Sequence, residues 1–462
     1  MKTYQDLTAL GEVLSSRIDF IIQAIGEHKL TPAFRVARDA ELYYNGENPT
    51  INGYEKILYD MYGKAHVDMW TANHKIASSF FTMVVDQEVG YLLGNGVSFT
   101  KGKTKDALGD TFDEDVSDAL EYARVQGAAF GFWNVDHIDV FKFTEFVPLY
   151  DEETGALMAG IRFWQLTPDK PLRATLYEPD GYTEFIQRNG ESMTVFVEKR
   201  TYKIHVKETA AEGEISADGE NYATLPIVPL YANKAHKSAL VGKKNTIDAL
   251  DLATSNMVNN VDEGSLIYWV LTNCGGMDDL DDAKFVERLK TLHVAHAEGD
   301  AGATAEAKTI EAPFEGTNTT IDMLNTKLYK DFQAFDAASV TASNQSATAI
   351  RASYIPLDLK TDKIERQVTR FIRGILALAG IEDDPTYTRN QLINKLEETQ
   401  TLVMQAQYIT EEYLRKKLLT INGDIDQIDE ITKQIDADDY GRLNTGNVDE
   451  EGGEKNEADN EN

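Results

Sequence analysis

Apolar residues recur at helical spacing toward both ends of this chain and at strand-like spacing between them. Ile18, Ile21, Ile22 and Ile25 fall at three- and four-residue steps, which predicts a helix. Ile76, Phe80, Val84 and Tyr91 predict another over 71–93, stopped at Gly94-Asn95-Gly96 and followed by a strand at 97–100. From 96 to 235 the pattern shortens. β-Branched or alternating runs at 135–141, 159–166, 174–177 and 193–205 predict strands, with turn formers at 151–155, 169–171, 179–181 and 189–190 between them. One helix, 113–127, interrupts this region, and Pro226 with Pro229 closes it.

A long helix is predicted over 238–264. Ile247, Leu250, Thr254, Met257, Val258 and Val261 form one stripe. Asp248, Asp251, Ser255, Asn259 and Asp262 form the other, and this polar face is expected to turn away from the core. An insert follows, with strands at 268–271 and 308–312 around a helix at 278–297. A second long helix opens at Thr319, with Ile321, Leu324, Leu328, Phe332 and Phe335 as its stripe. Two long helices therefore bracket a compact αβ insert. After 338 the chain turns small and polar. Helix resumes near Ala347 and runs past Pro356, with a kink or break, to Ala379. A linker covers 381–388, and helices are predicted at 390–407, 410–419 and 424–435. The overall class is α+β, mainly helical.

Charge narrows the function. The chain of 462 residues carries 45 basic and 77 acidic side chains, a formal net charge of −32. A protein that reads DNA through phosphate contacts needs clustered cations, and a coat for anionic membranes needs them too. The single cysteine, Cys274, allows no internal disulfide. The first residues lack the apolar core of a secretory signal, and no apolar run approaches the ~20 residues of a membrane helix. A soluble protein made in the cytoplasm is expected, with no membrane partner. From Asn447 on, seven acids, one Lys and no aromatic residue predict a disordered tail.

Candidate chemistry is sparse. Gly242-Lys243 fails the spacing of a phosphate loop, and no nucleophile-elbow or His-Glu-x-x-His motif occurs. Asp278, Asp279, Asp281 and Asp282, with His293 and His296, are the nearest approach to a metal site. Acids in the first turn of a helix are commonly there for its dipole. These residues keep a soluble metal-dependent hydrolase in view as one reading. The expectation is no enzyme, no cofactor and no metal. Lys234, Lys237, Lys243 and Lys244 form a local basic group at the entrance of the first long helix, either a solvated face or a contact to phosphate.

The order of parts resembles the portal, or head-to-tail connector, proteins of tailed bacteriophages of the siphophage type, over roughly residues 35–437. The stretches that carry the resemblance are 40–46 (AELYYNG), Asn73-His74-Lys75-Ile76 with 84–94, 123–131, Ile161-Arg162-Phe163, 238–261, Gln345-Ser346-Ala347-Thr348-Ala349-Ile350, Ile409–Leu414 and 422–430. Ala347 and Asn95-Gly96 depart from the family pattern, and another acidic capsid-assembly protein stays open as an alternative beside the hydrolase.

The resemblance implies a portal fold of wing, stem, clip and crown, assembled as a ring, usually of twelve copies, at one capsid vertex of the virion. By it, residues 1–237 are the N-terminal wing, 238–267 the first stem helix, 268–316 the clip and 317–338 the second stem helix. The channel loop and wing return helix take 339–386, the crown 387–440, and a disordered acidic tail 441–462. Double-stranded DNA would pass through the ring during packaging and ejection. Terminase, a major capsid or scaffold protein, and a head-completion or adaptor protein would dock on it. The channel lining is expected at Thr341, Ser343, Asn344, Gln345 and Arg351, with Asp248, Asp251, Lys243 and Lys244. Partner docking is expected at Asp278, Asp279, Asp281, Asp282 and Arg288.

Overall fold

The computed structural model describes residues 2–11, 13–59, 62–69, 71–208, 215–263, 269–270, 306–307, 314–338, 347–390 and 395–422. They fall into two units: 1–336 with 354–390, and 337–353 with 391 onward. Within the second unit the C-terminal helices are Lys395–Gln405 and Glu411–Asn422. The latter starts where the acids Glu411 and Glu412 meet its free N–H groups.

The first unit has three buried clusters. In one, a five-stranded antiparallel meander packs on the helix Leu14–Leu30 through Phe20, Ile21, Ala24 and Ile25. Its strands are ordered 194–200, 181–187, 172–178, 157–164 and 146–150. Ile22, expected in the same stripe, points outward. The predicted turn after Tyr150 is tied by Asp151, whose Oδ1 accepts from the backbone N–H groups of Glu153 (3.1 Å) and Thr154 (2.8 Å). Arg17, on the helix, forms a buried pair with Glu178 on the sheet (2.7 Å). That pair ties the helix to the sheet beside their apolar contact.

The second cluster holds a three-stranded sheet, ordered 227–231, 128–134, 137–142, against the helix Phe112–Gln126. The C-terminal half of the helix Ala347–Ala379 covers it through Ile364, Val368, Phe371, Ile372 and Ile375. The helix can approach because the strand carries Gly131. A Cβ there would lie 2.6 Å from the Phe371 ring. Pro356 sits inside this helix and removes the N–H that would bond to Ala352, yet the helix continues.

Three expectations change. The helix predicted over 71–93 starts only at Phe80, and 72–79 belongs to no helix or sheet. Pro229 does not end the strand region, for Ile227–Tyr231 pairs with 128–132 at the edge of its sheet, where a missing N–H is tolerated. The 381–388 linker contains the strand Pro385–Tyr387, paired with Val97–Phe99. Of the insert, Trp269–Val270 pairs antiparallel with Glu306–Ala307. Its predicted helix 278–297, with His293, His296 and Cys274, lies outside the described residues, as do the helix at 424–435 and the acidic tail.

His28 gives this unit a pH dependence. The ring is fully buried among Phe34, Phe143 and Phe163. One nitrogen, Nε2, lies 2.9 Å from the carbonyl of Phe143 and so carries the proton, while Nδ1 faces no partner. Burial lowers its pKa, against the pull of the Phe143 carbonyl. The folded state thus binds the second proton less readily than the unfolded one. Stability is expected to fall as pH drops below the unfolded value of about 6.5. Urea titrations from pH 7.5 to 5 should show a slope in wild type that is reduced in His28→Gln.

Candidate functional site: the paired long helices and their strap

The two long helices are Lys244–Glu263 and Phe314–Phe332, and they pack on each other. Their joint core takes Ile247 and Leu250 from the first and Leu328 and Phe332 from the second, closed by Phe80 and Phe81. The apolar stripe read from the sequence thus faces inward at its N-terminal end. Met257 and Val258, farther along, are half-buried.

The polar stripe does not turn outward. Asp251 is 1% exposed, Ser255 3% and Asn259 3%, so the expected solvent face is buried. The reason is the segment 72–79, which runs antiparallel along this helix as a strap. Its backbone N–H groups donate to the stripe in sequence: Ser78 to Asp251 Oδ1 (3.1 Å), Ile76 to Ser255 Oγ (3.0 Å) and His74 to Asn259 Oδ1 (2.7 Å). The spacing matches. Four residues of helix rise about 6.0 Å, and two residues of extended chain advance about 6.6 Å. Ser255 can accept because its own hydroxyl proton goes to the carbonyl of Asp251 (2.7 Å). The His74 ring also pairs with Asp262.

At its N-terminal end the same helix is held by further polar contacts. Asn48 Nδ2 donates to Asp251 Oδ2 (2.8 Å) and Asp248 Oδ1 (3.1 Å). The Tyr43 hydroxyl donates to Asp248. Lys244 Nζ donates to Asp248 Oδ2 and Thr50 Oγ1, each at 2.8 Å. Lys243 lies 4.9 Å over the Phe332 ring and donates to the carbonyl of Ala239 (3.1 Å). Burial raises the pKa of Asp251, against the donors Asn48 and Ser78, and burial lowers that of Lys243. Lys243, Lys244, Asp248 and Asp251 are therefore engaged within the subunit. Asp251 is not presented to solvent as its place in the polar stripe had suggested.

Where the second long helix ends, a buried charge cluster gathers four parts of the chain. Glu88 is completely buried, pairs with Arg124 (2.5 Å) and also meets Lys360. Burial alone would push the Glu88 carboxyl up, but Arg124 and Lys360 outweigh it and hold its pKa down. Lys360 is itself brought down to about 8 by burial, against the attraction of Glu88, and it donates to the carbonyl of Phe332. Beside it, the Gln87 amide forms two bonds with the backbone of Phe335, one to its carbonyl and one from its N–H, both 2.9 Å. Phe335 stacks on Tyr354 at 4.0 Å and 7°. The chain leaves the first unit after Asp336 and re-enters it at Tyr354, so this stack closes the base of the excursion between them.

Thr341, Ser343, Asn344 and Gln345, expected in that excursion, lie outside the described residues. So do Asp278, Asp279, Asp281, Asp282 and Arg288. Arg351 is an exposed residue early in the helix Ala347–Ala379. Sequence reasoning missed Asn48, Gln87, Glu88, Arg124 and Lys360. A usable signal existed for the strap: acceptors at 251, 255 and 259, one helical turn apart, with a run of small and polar residues at 71–79.

The profile of the family described as "Phage portal protein, SPP1 Gp6-like" matches residues 33–440. The chain belongs to this family of phage portal proteins. It is 24% identical over 422 residues to the portal protein of Bacillus phage SPP1, covering 85% of this chain and 81% of that one. It is also 24% identical over 364 residues to the portal protein of the Clostridium phage phiCD119, covering 71% and 77%. Among solved structures, a chain from the "Neck of empty GTA particle computed with C6 symmetry" is similar over 74% of this chain and 90% of its own length. That similarity is at 9% identity and a TM-score of 0.35, a loose likeness.

Three substitutions test the site. Asp251→Ala strands the N–H of Ser78 and removes one of the two acceptors of the Asn48 amide, and is expected to cost about 1–3 kcal/mol. Leu250→Ala, next to it, should cost about 2–5 kcal/mol. Chemical denaturation that finds Asp251→Ala neutral would refute the ladder. Glu88→Ala leaves Arg124 and Lys360 buried without their carboxylate and should cost about 3–5 kcal/mol, read in the same titration.

Proposed function

We propose that this chain is the subunit of a portal ring, the DNA channel at one capsid vertex that joins head to tail. The observation that carries this reading is the family match across residues 33–440. The long helix pair flanking the insert is the architecture such a ring requires. In this reading the chain is structural and not an enzyme, and a separate terminase supplies the work of packaging. Twelve copies close by rotation through heterologous contacts. Double-stranded DNA passes through the centre, and a capsid or scaffold protein and an adaptor bind the outside and the insert. The protein resides in the virion after synthesis in the host cytoplasm. Among the described residues no helix is long and apolar enough to cross a membrane.

The strong negative charge suits a conduit. DNA must slide, and a wall that gripped phosphate tightly would stall it. The excursion 337–353 is the segment we assign to the narrowest part, with Thr341, Ser343, Asn344 and Gln345 facing DNA and Arg351 near it. Lys243, Lys244, Asp248 and Asp251 serve instead to hold the first long helix. The insert around Asp278, Asp279, Asp281, Asp282 and Arg288 is the docking end for terminase and adaptor.

The test pairs imaging with packaging. Negative-stain averages of the full chain co-expressed with the major capsid protein should show rings with a central hole. The double variant Asn344→Asp/Gln345→Asp should keep the rings and package less DNA. Unchanged packaging would remove the channel-loop assignment, and a chain that forms no ring would remove the portal reading itself.

A further inference from the structure

Two short strands, 57–59 and 65–67, form a β-ribbon, and none of their residues belongs to the three buried clusters of the first unit. Ile57–Tyr59 pairs antiparallel with Ala65–Val67, and these two strands make a sheet of their own. Every residue of both strands is exposed. By the register, Ile57, Tyr59 and Val67 share one face, and Leu58 lies on the other. Tyr59 is 71% exposed, Tyr62 94% and Met69 87%, with Ile57 at 56%, Val67 at 51% and Leu58 at 42%. An isolated two-stranded ribbon is marginal in water, and one with two open edges and an apolar face is a ready pairing surface.

The ribbon is nevertheless firmly rooted. The Asp68 N–H donates to the Lys56 carbonyl (2.8 Å), and Lys56 Nζ donates to the carbonyl of Ala72 (2.6 Å). Asp68 is buried and accepts from the N–H of Thr71 (3.2 Å) and from its hydroxyl. The root is thus joined directly to the strap that holds the first long helix. A rooted, solvent-exposed apolar arm is the form of an element whose packing partner lies outside its own subunit.

We infer that this ribbon is an assembly arm that docks on a second copy of this chain, next to it in the ring. The inference rests on the portal reading. The six side chains expose on the order of 800 Å², the share that each partner contributes to a standard interface. A closed ring of heterologous contacts needs a projecting patch on one side of each subunit and a different receiving patch on the other. Nucleic acid fits this arm poorly, because none of the six side chains carries the positive charge that neutralises phosphate.

The experiment uses the full chain. In Tyr59→Asp/Met69→Asp, native mass spectrometry should show the ring fraction falling about tenfold or more at fixed concentration, with circular dichroism and melting temperature unchanged. In a second protein, benzoylphenylalanine replaces Tyr62 and light and heavy isotopic chains are mixed before irradiation. Light–heavy cross-linked peptides between the arm and another copy support the proposal, even if the Asp variant fails to fold. Rings at wild-type yield in the Asp variant, cross-links only within one chain, or cross-links only to co-expressed capsid protein overturn it. Wild-type chains that form no ring would overturn the portal reading on which it rests, a different result from rings that ignore the arm.

Discussion

The first long helix is positioned by three hydrogen bonds to a strip of extended backbone. A buried helix face is usually apolar, because side chains there have only other side chains to meet. Here the facing element is a strand without a sheet, and its N–H groups need acceptors. Asp251, Ser255 and Asn259 supply them at one-turn intervals. The ends of the strap are then fixed, which sets where the Phe80–Leu93 helix begins and where the ribbon of 57–59 and 65–67 is rooted. Through Phe80 and Phe81 that helix also closes the core shared by the two long helices.

The other end of the helix pair depends on charge. Glu88, Arg124 and Lys360 come from three helices and meet out of water, with the last carbonyl of the second long helix bound to Lys360. Such a cluster is weak evidence for stability in itself, since desolvation offsets much of the attraction. Its value is geometric. Any arrangement that moved Glu88 away would leave two buried cations without their carboxylate. Together with Gln87 and the Phe335–Tyr354 stack, it fixes where the chain departs toward residue 337 and where it returns.

Much of the layout was legible. Helical and strand periodicities located Leu14–Leu30, Phe112–Gln126, both long helices and the continuation through Pro356. The apolar stripes led to Ile247, Leu250, Leu328 and Phe332 as core. The errors share a cause. Reading Asp251 and Asn259 as outward assumed that polar side chains seek water, whereas their partners were backbone N–H groups some 170–190 residues earlier in the sequence. Reading 71–79 as helix followed the spacing from Ile76 to Phe80, but those N–H groups are taken by the helix they lie on. Glu88, Arg124 and Lys360 carry no local signal at all, because an ion pair between distant positions leaves no period in the sequence.

The ladder also has the property of a vernier. Helix and strap advance by steps of about 6.0 and 6.6 Å, so the two scales agree over three rungs and drift apart beyond them. Sliding the helix by one residue would shift it about 1.5 Å and rotate it about 100°, which breaks all three bonds at once. Only a shift by a whole rung, four residues and about 6 Å, would set two of the acceptors opposite N–H groups again, and it would leave the third N–H without one. Small displacements of the helix along its axis are therefore resisted by the set as a whole, like a key whose pins must all lift together.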